Sequence, residues 1–114
     1  AVRPRPTAVI CGNDLVAVAA IAACREQGLD VPRDVSIAGF GNMEIAALQS
    51  PALTTIRSPI AAIGAAAGKQ ILARIAGEDA PPKVEFEAEL VVRASTASAP
   101  RHPRSAKGRR TGTG

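Results

Sequence analysis

The chain has 114 residues, 46% of them hydrophobic, and Phe40 and Phe86 are its only aromatics. That is the size of one small domain, with a core that has to be built from Ala, Val, Ile and Leu. The formal charge of +4 is unevenly placed. Residues 98–114, "SAPRHPRSAKGRRTGTG", hold five of the 14 basic residues and no acid, so nine basic residues face ten acidic ones in residues 1–97. The body is nearly neutral. A stretch so rich in Pro, Gly, Ser and Arg reads as disordered, and without aromatics it reads as a solvated extension rather than a nucleic-acid surface. No run of about 18 apolar residues indicates a membrane span, and no segment has the pattern of a secretory signal. The expected location is the cytoplasm.

In chain order, "TAVIC" (residues 7–11) reads as a buried strand. Gly12 and Asn13 break it, and a helix is predicted over residues 14–27. Asn13 or Asp14 can cap that helix, and Gly28 can end it in the left-handed conformation. The helix is apolar almost all round, which predicts burial on more than one side. A second buried strand spans residues 35–40, followed by Gly41, Asn42 and a short helix over 43–49. A third strand, "LTTIR" (53–57), leads to Ser58 and Pro59, a predicted helix start. The helix continues to residue 76. The alternation Val84, Phe86 against Glu85, Glu87 predicts a half-exposed strand within residues 84–95. Strands alternating with helices predict an α/β fold, an open and mainly parallel sheet with flanking helices. In such sheets ligands bind beyond the carboxyl ends of the strands. Gly12-Asn13-Asp14 and Gly41-Asn42 both fall there.

Chemistry is sparse. The only histidine, His102, lies in the basic stretch, so the body has no Ser-His-Asp or Cys-His set. No spacing matches a metal site, and Gly39-Phe40-Gly41 lacks the third glycine of a dinucleotide loop. Asp14 and Glu44 could approach as paired carboxylates, although capping accounts for Asp14 more cheaply. No catalysis, metal or cofactor is expected. Cys11 and Cys24, inside apolar stretches, read as small buried hydrophobes.

Four pieces in order, "CGND", "GLDVPRDVSIAGF", "PALTTIRSP" and "ELVVRAST", resemble the LacI/GalR (lac-repressor) family of bacterial transcription regulators. They cover roughly residues 6–97. The resemblance implies part of an effector-binding domain with the periplasmic-binding-protein type I fold, in which two lobes enclose a small molecule, usually a sugar, sugar acid or purine. It implies ligand contacts from Asn13 and Asp14 and from Gly41 and Asn42. It also implies a homodimer, with Ala17, Ala20, Ile21, Cys24, Glu44, Ile45 and Leu48 at the interface. Burial of the first helix within one lobe would give the same apolar pattern. Operator DNA would be held only through an N-terminal helix-turn-helix, which is not among these residues. Residues 7–50 and 84–96 would form one lobe and residues 54–80 would cross to the other, with residues 98–114 as the tail.

One departure stands out. Where the family commonly has an acid after "G-F/Y", this chain has Gly41, then Asn42. The pattern is similar to that of gluconate-type regulators, whose ligand is an anionic sugar acid. A buried carboxylate facing an anion would be repelled and desolvated, so its absence is physically consistent. Two rivals have other signatures. A periplasmic sugar-binding protein shares the fold, but "ELVVRAST" and "PALTTI" favour the regulators. A flavodoxin-like enzyme or receiver domain would show a phosphate loop or an acidic cluster.

Overall fold

A computed structural model describes residues 4–101; His102 and the rest of the basic stretch lie outside the described residues. Strand β1 (Ala8–Ile10) is followed by α1 (Asp14–Glu26), β2 (Ser36–Ala38), α2 (Glu44–Leu48), β3 (Thr55–Arg57), α3 (Ile60–Ile75) and β4 (Glu89–Val91). The alternating order matches the sequence expectation, with shorter strands. Strand β1 pairs in parallel with β2, Val9 opposite Ile37. A parallel bridge from Ala38 to Thr54 extends the arrangement to the start of β3. Beyond it the pairing reverses: β3 runs antiparallel to β4, Ile56 opposite Leu90.

Local chemistry sets the element ends. The side-chain Oδ1 of Asn13 accepts from Val16 N at 2.9 Å, satisfying one of the orphan N–H groups of α1. At the other end Gly28 takes φ 71°, and Leu29 N donates to Cys24 O at 2.9 Å. Helix α3 begins after Pro59, but no side chain caps it. The expected Ser58 cap is not formed; Ser58 instead accepts from Ile60 N through its backbone carbonyl.

The core consists of Cys11, Ala17, Ile21, Val35, Ile37, Ala46 and Leu53, with Ala20, Cys24 and Val31 packed against it. Small aliphatic residues do build it, and both phenylalanines are exposed. Ser95 pins the core from the far end of the chain. Its hydroxyl donates to Ile37 O at 2.6 Å and accepts from Thr54 N at 2.8 Å. Its backbone N–H reaches Ala52 O, and its carbonyl accepts from Ile37 N. A completely buried serine with all of these groups paired avoids the cost of an unsatisfied polar group.

Two expectations change in the folded chain. The predicted strand over 84–95 exists only at Glu89–Val91, because its partner β3 ends at Arg57, just before Ser58 and Pro59. Val84 and Phe86 instead border a groove of about 270 Å³ with Ile63, Ala66, Ala67 and Gln70 of α3. Helix α1 is also less enclosed than its composition predicts. Asp14, Ala17 and Ile21 are its buried residues, while Leu15 and Val16 are half exposed. Helix α3 has no buried residue at all, and Ile60, Leu72 and Ile75 are open.

The two thiols differ in setting. Both are free, Cys11 buried and Cys24 partly so. Burial, helped by the neighbouring Cys24, pushes the Cys11 thiol above its ordinary value of 9.0. The raised value means that the folded chain holds Cys11 protonated where the unfolded chain would release the proton. That contribution is full below pH 9 and shrinks as pH rises beyond it. Iodoacetamide is therefore expected to alkylate Cys24 well before Cys11 at pH 8, with mass spectrometry of timed digests as the check. Equal rates would show that Cys11 is not shielded.

Candidate functional site

The two loops singled out by the sequence meet at the carboxyl ends of β1 and β2. They are stitched together by Asp14. Its backbone N–H donates to Phe40 O at 3.1 Å. Its carboxylate takes Met43 N on Oδ2 at 2.6 Å and the Thr55 hydroxyl on Oδ1 at 2.5 Å. Asp14 is fully buried. With Asn13 supplying the cap, both carboxylate oxygens are free for these two longer-range bonds. Charge-assisted bonds of this kind are shorter and stronger than neutral ones.

Gly41 and Asn42 form the facing turn. Gly41 takes φ 122° and Asn42 φ 51°. Glycine adopts such values without a side-chain penalty, and asparagine tolerates the left-handed region better than most residues. Gly41 N donates to Ile56 O at 2.9 Å, and Asn42 N reaches the Thr55 hydroxyl at 3.3 Å. Arg93, just after β4, completes the setting. Its Nη2 donates to Asn42 Oδ1 at 2.7 Å, and its Nη1 donates to Leu53 O at 2.9 Å.

Thus Asn13, Asp14, Gly41 and Asn42 are brought together, as the sequence spacing expects. They are not equivalent, however. Asn13 is exposed, and Gly41 and Asn42 are partly so, whereas Asp14 is enclosed with both oxygens engaged. Thr55 and Arg93 were not among the residues expected from sequence. Arg93 in the apolar run "ELVVRAST" was the available signal, since a guanidinium there needs acceptors. Among the described residues no group of three or more His, Cys, Asp or Glu is placed to hold a metal ion.

The residues expected at a dimer surface separate by exposure. Ala17 and Ile21 are 0% and 1% exposed, turned into the chain's own core with no surface to offer a partner. Ala20, Cys24 and Ile45 are partly buried, while Glu44 and Leu48 are open. The open face of α1 includes Leu15, Val16 and Ala19 instead.

Residues 1–96 match a family model described as a periplasmic binding protein-like domain. Over 95 residues the chain is 50% identical to the HTH-type transcriptional regulator MalR of Streptomyces coelicolor, covering 82% of this chain and 28% of that protein. It is 42% identical over 95 residues to the HTH-type transcriptional repressor PurR of Aliivibrio fischeri, with the same coverage. Among solved structures, a LacI family transcriptional regulator from Bifidobacterium animalis superposes with a TM-score of 0.76 and 38% identity, over 86% of this chain and 36% of that one. A dimeric lac repressor superposes with a TM-score of 0.71 and 31% identity, over 84% of this chain and 35% of that one. The chain spans 28% of the length of these curated relatives. No helix among the described residues is long and apolar enough to cross a membrane.

Proposed function

We propose, since this chain belongs to the periplasmic binding protein-like domain family as a LacI-type sequence, that it is the C-terminal part of a transcription regulator's effector-binding domain. It senses a small sugar or sugar acid and carries out no catalysis. The observation that carries this reading is the stitched pair of loops at the strand ends, Asn13-Asp14 against Gly41-Asn42. In open α/β sheets that is where ligands bind. Asn13, Gly41 and Asn42 touch the effector, and Asp14 holds the two loops in register.

The absence of a carboxylate at position 41 supports a sugar acid of the gluconate type within that class. The domain works as a cytoplasmic homodimer, and operator DNA is gripped by a helix-turn-helix outside these residues. The relatives' names support this, as does a lac repressor dimer solved bound to operator. Residues 7–50 and 84–96 belong to one lobe, and residues 54–80 cross to the second. A periplasmic sugar-binding protein would share the fold; the regulator names of the relatives speak for the first reading.

Such a site closes over its ligand with groups from both lobes, so this chain alone is expected to bind no tighter than about 1 mM. Calorimetric titration with gluconate, glucose and a purine base, with mass by light scattering, tests the reading. Heat from gluconate alone is the expected result. Glucose or the purine binding instead would remove the sugar-acid assignment. Silence from all three by a folded chain would show that this segment needs the groups of the second lobe to hold an effector, and would move the test to the full-length regulator.

A further inference from the structure

Strand β1 forms an edge of the sheet. It pairs with β2 on one side, and no strand flanks its other side among the described residues. Ser36 N donates to Thr7 O at 2.9 Å, and Cys11 N donates to Ala38 O at 2.8 Å. The main-chain groups of Thr7, Val9 and Cys11 therefore face β2. Those of Ala8 and Ile10, the alternate residues, point outward from the open edge. The side chains there are open as well: Ile10 is 84% exposed and Val9 37%. Residues 6–13, "PTAVICGN", carry no charge, whereas edge strands are commonly guarded against pairing by lysine or another inserted charge. Pro6 is the one guard, and its missing N–H ends the open edge just before Thr7.

We propose that β1 is a self-association surface, on which a second copy of this chain lays its own β1 antiparallel across a two-fold axis at Val9. In that register Ala8 of each copy lies opposite Ile10 of the other. Each such pair exchanges two N–H···O=C bonds, so four bonds close and every outward group of the two residues is used. Because the two outward residues are symmetric about Val9, the edge is its own complement, and no charge on it repels a copy. Val9 meets Val9 of the second copy on the face that α1 covers, since Val9 is in register with the buried Ile37. On the other face Ile10 packs over Ala8 of the second copy, with the two Ile10 side chains as diagonal neighbours. The contact is isologous and closed, which gives a dimer and not a fibre. Three residues of edge fall short of a standard interface of roughly 800 Å² per partner, so a dissociation constant of about 0.1 mM is expected. This inference concerns the 114-residue chain itself and does not depend on the effector-site reading.

The test combines sedimentation equilibrium with amide hydrogen exchange of the 114-residue chain, each at about 10 μM and about 1 mM. The mass is expected to rise from 11.6 kDa towards twice that value. The amides of Ala8 and Ile10 should become about tenfold better protected at the higher concentration. Ile10→Lys places a charge on the edge where the side chain meets no core residue, and is expected to weaken association at least about tenfold. Ala8→Pro removes only an outward N–H, a change that edge strands accept, and should have the same effect. Val16→Lys, on the open face of α1, should leave association unchanged. Circular dichroism of each variant separates these results from unfolding, and the parent's exchange pattern stands without any variant. A folded chain that stays at 11.6 kDa at both concentrations would overturn the proposal. So would a doubled mass without protection at Ala8 and Ile10. A dimer lost in Val16→Lys but kept in Ile10→Lys would also overturn it, by moving the interface to α1.

Discussion

Asp14→Ala is expected to cost the chain about 3–5 kcal/mol, the sum of two lost charge-assisted hydrogen bonds and the groups they leave unpaired. Asp14 and Thr55 are both fully buried, so the Thr55 hydroxyl would lose its acceptor with no water to take over. A loss of that size is a large share of the 5–15 kcal/mol, roughly, that holds a typical domain together. Asp14→Asn should fall between, since its one oxygen can serve only one of the two donors and its NH₂ would face the other. Urea unfolding followed by circular dichroism measures both. An Ala variant within about 1 kcal/mol of the parent would show that the carboxylate does not clamp the loops. Removal of Asp14 should also broaden the backbone resonances of Gly41 to Met43, because their anchor on α1 is gone.

Gly39→Ala is expected to destabilise by about 2–3 kcal/mol through overpacking. The reason here is space. A Cβ at position 39 would lie 2.9 Å from Leu53 Cδ2 and 3.2 Å from Asp14 Cα, with Asp14 Oδ1 closer still. Leu53 is fully buried, and Asp14 is pinned by its two bonds, so neither can move away without a further cost. Leu53→Ala alone should cost about 2–5 kcal/mol as a cavity. Combined with Gly39→Ala the sum should be less than additive, because the cavity accepts part of the new methyl. Strict additivity in urea midpoints would assign the strain to Asp14 alone.

Much of this was readable in one dimension. Strand and helix order followed from apolar periodicity and from punctuation at Gly12-Asn13, Gly28, Gly41-Asn42 and Pro59. Gly28 ends α1 in the left-handed region as its position implies. Four ordered motifs resemble the LacI family, and the similarity to MalR and to the Bifidobacterium regulator agrees with them. Each of these signals is local, so a short window of residues contains it. The strand limits were less legible. Val84 and Phe86 alternate with glutamates, but a strand needs a partner, and β3 stops too early to supply one.

The α/β order, the aliphatic core and the two polar loops after β1 and β2 are legible in the residues alone, because spacing and backbone preference act within a few residues. Which atom bonds which where those loops meet depends on the folded chain. Asn13 takes the helix cap and leaves Asp14 free to bind Thr55, 41 residues away. Arg93 orients Asn42 from 51 residues away. Ala17 and Ile21 turn inward while Leu15 and Val16 stay open. Hydrogen bonds between distant segments and the choice of which apolar face is covered depend on packing in three dimensions, where sequence distance has no bearing on which groups meet.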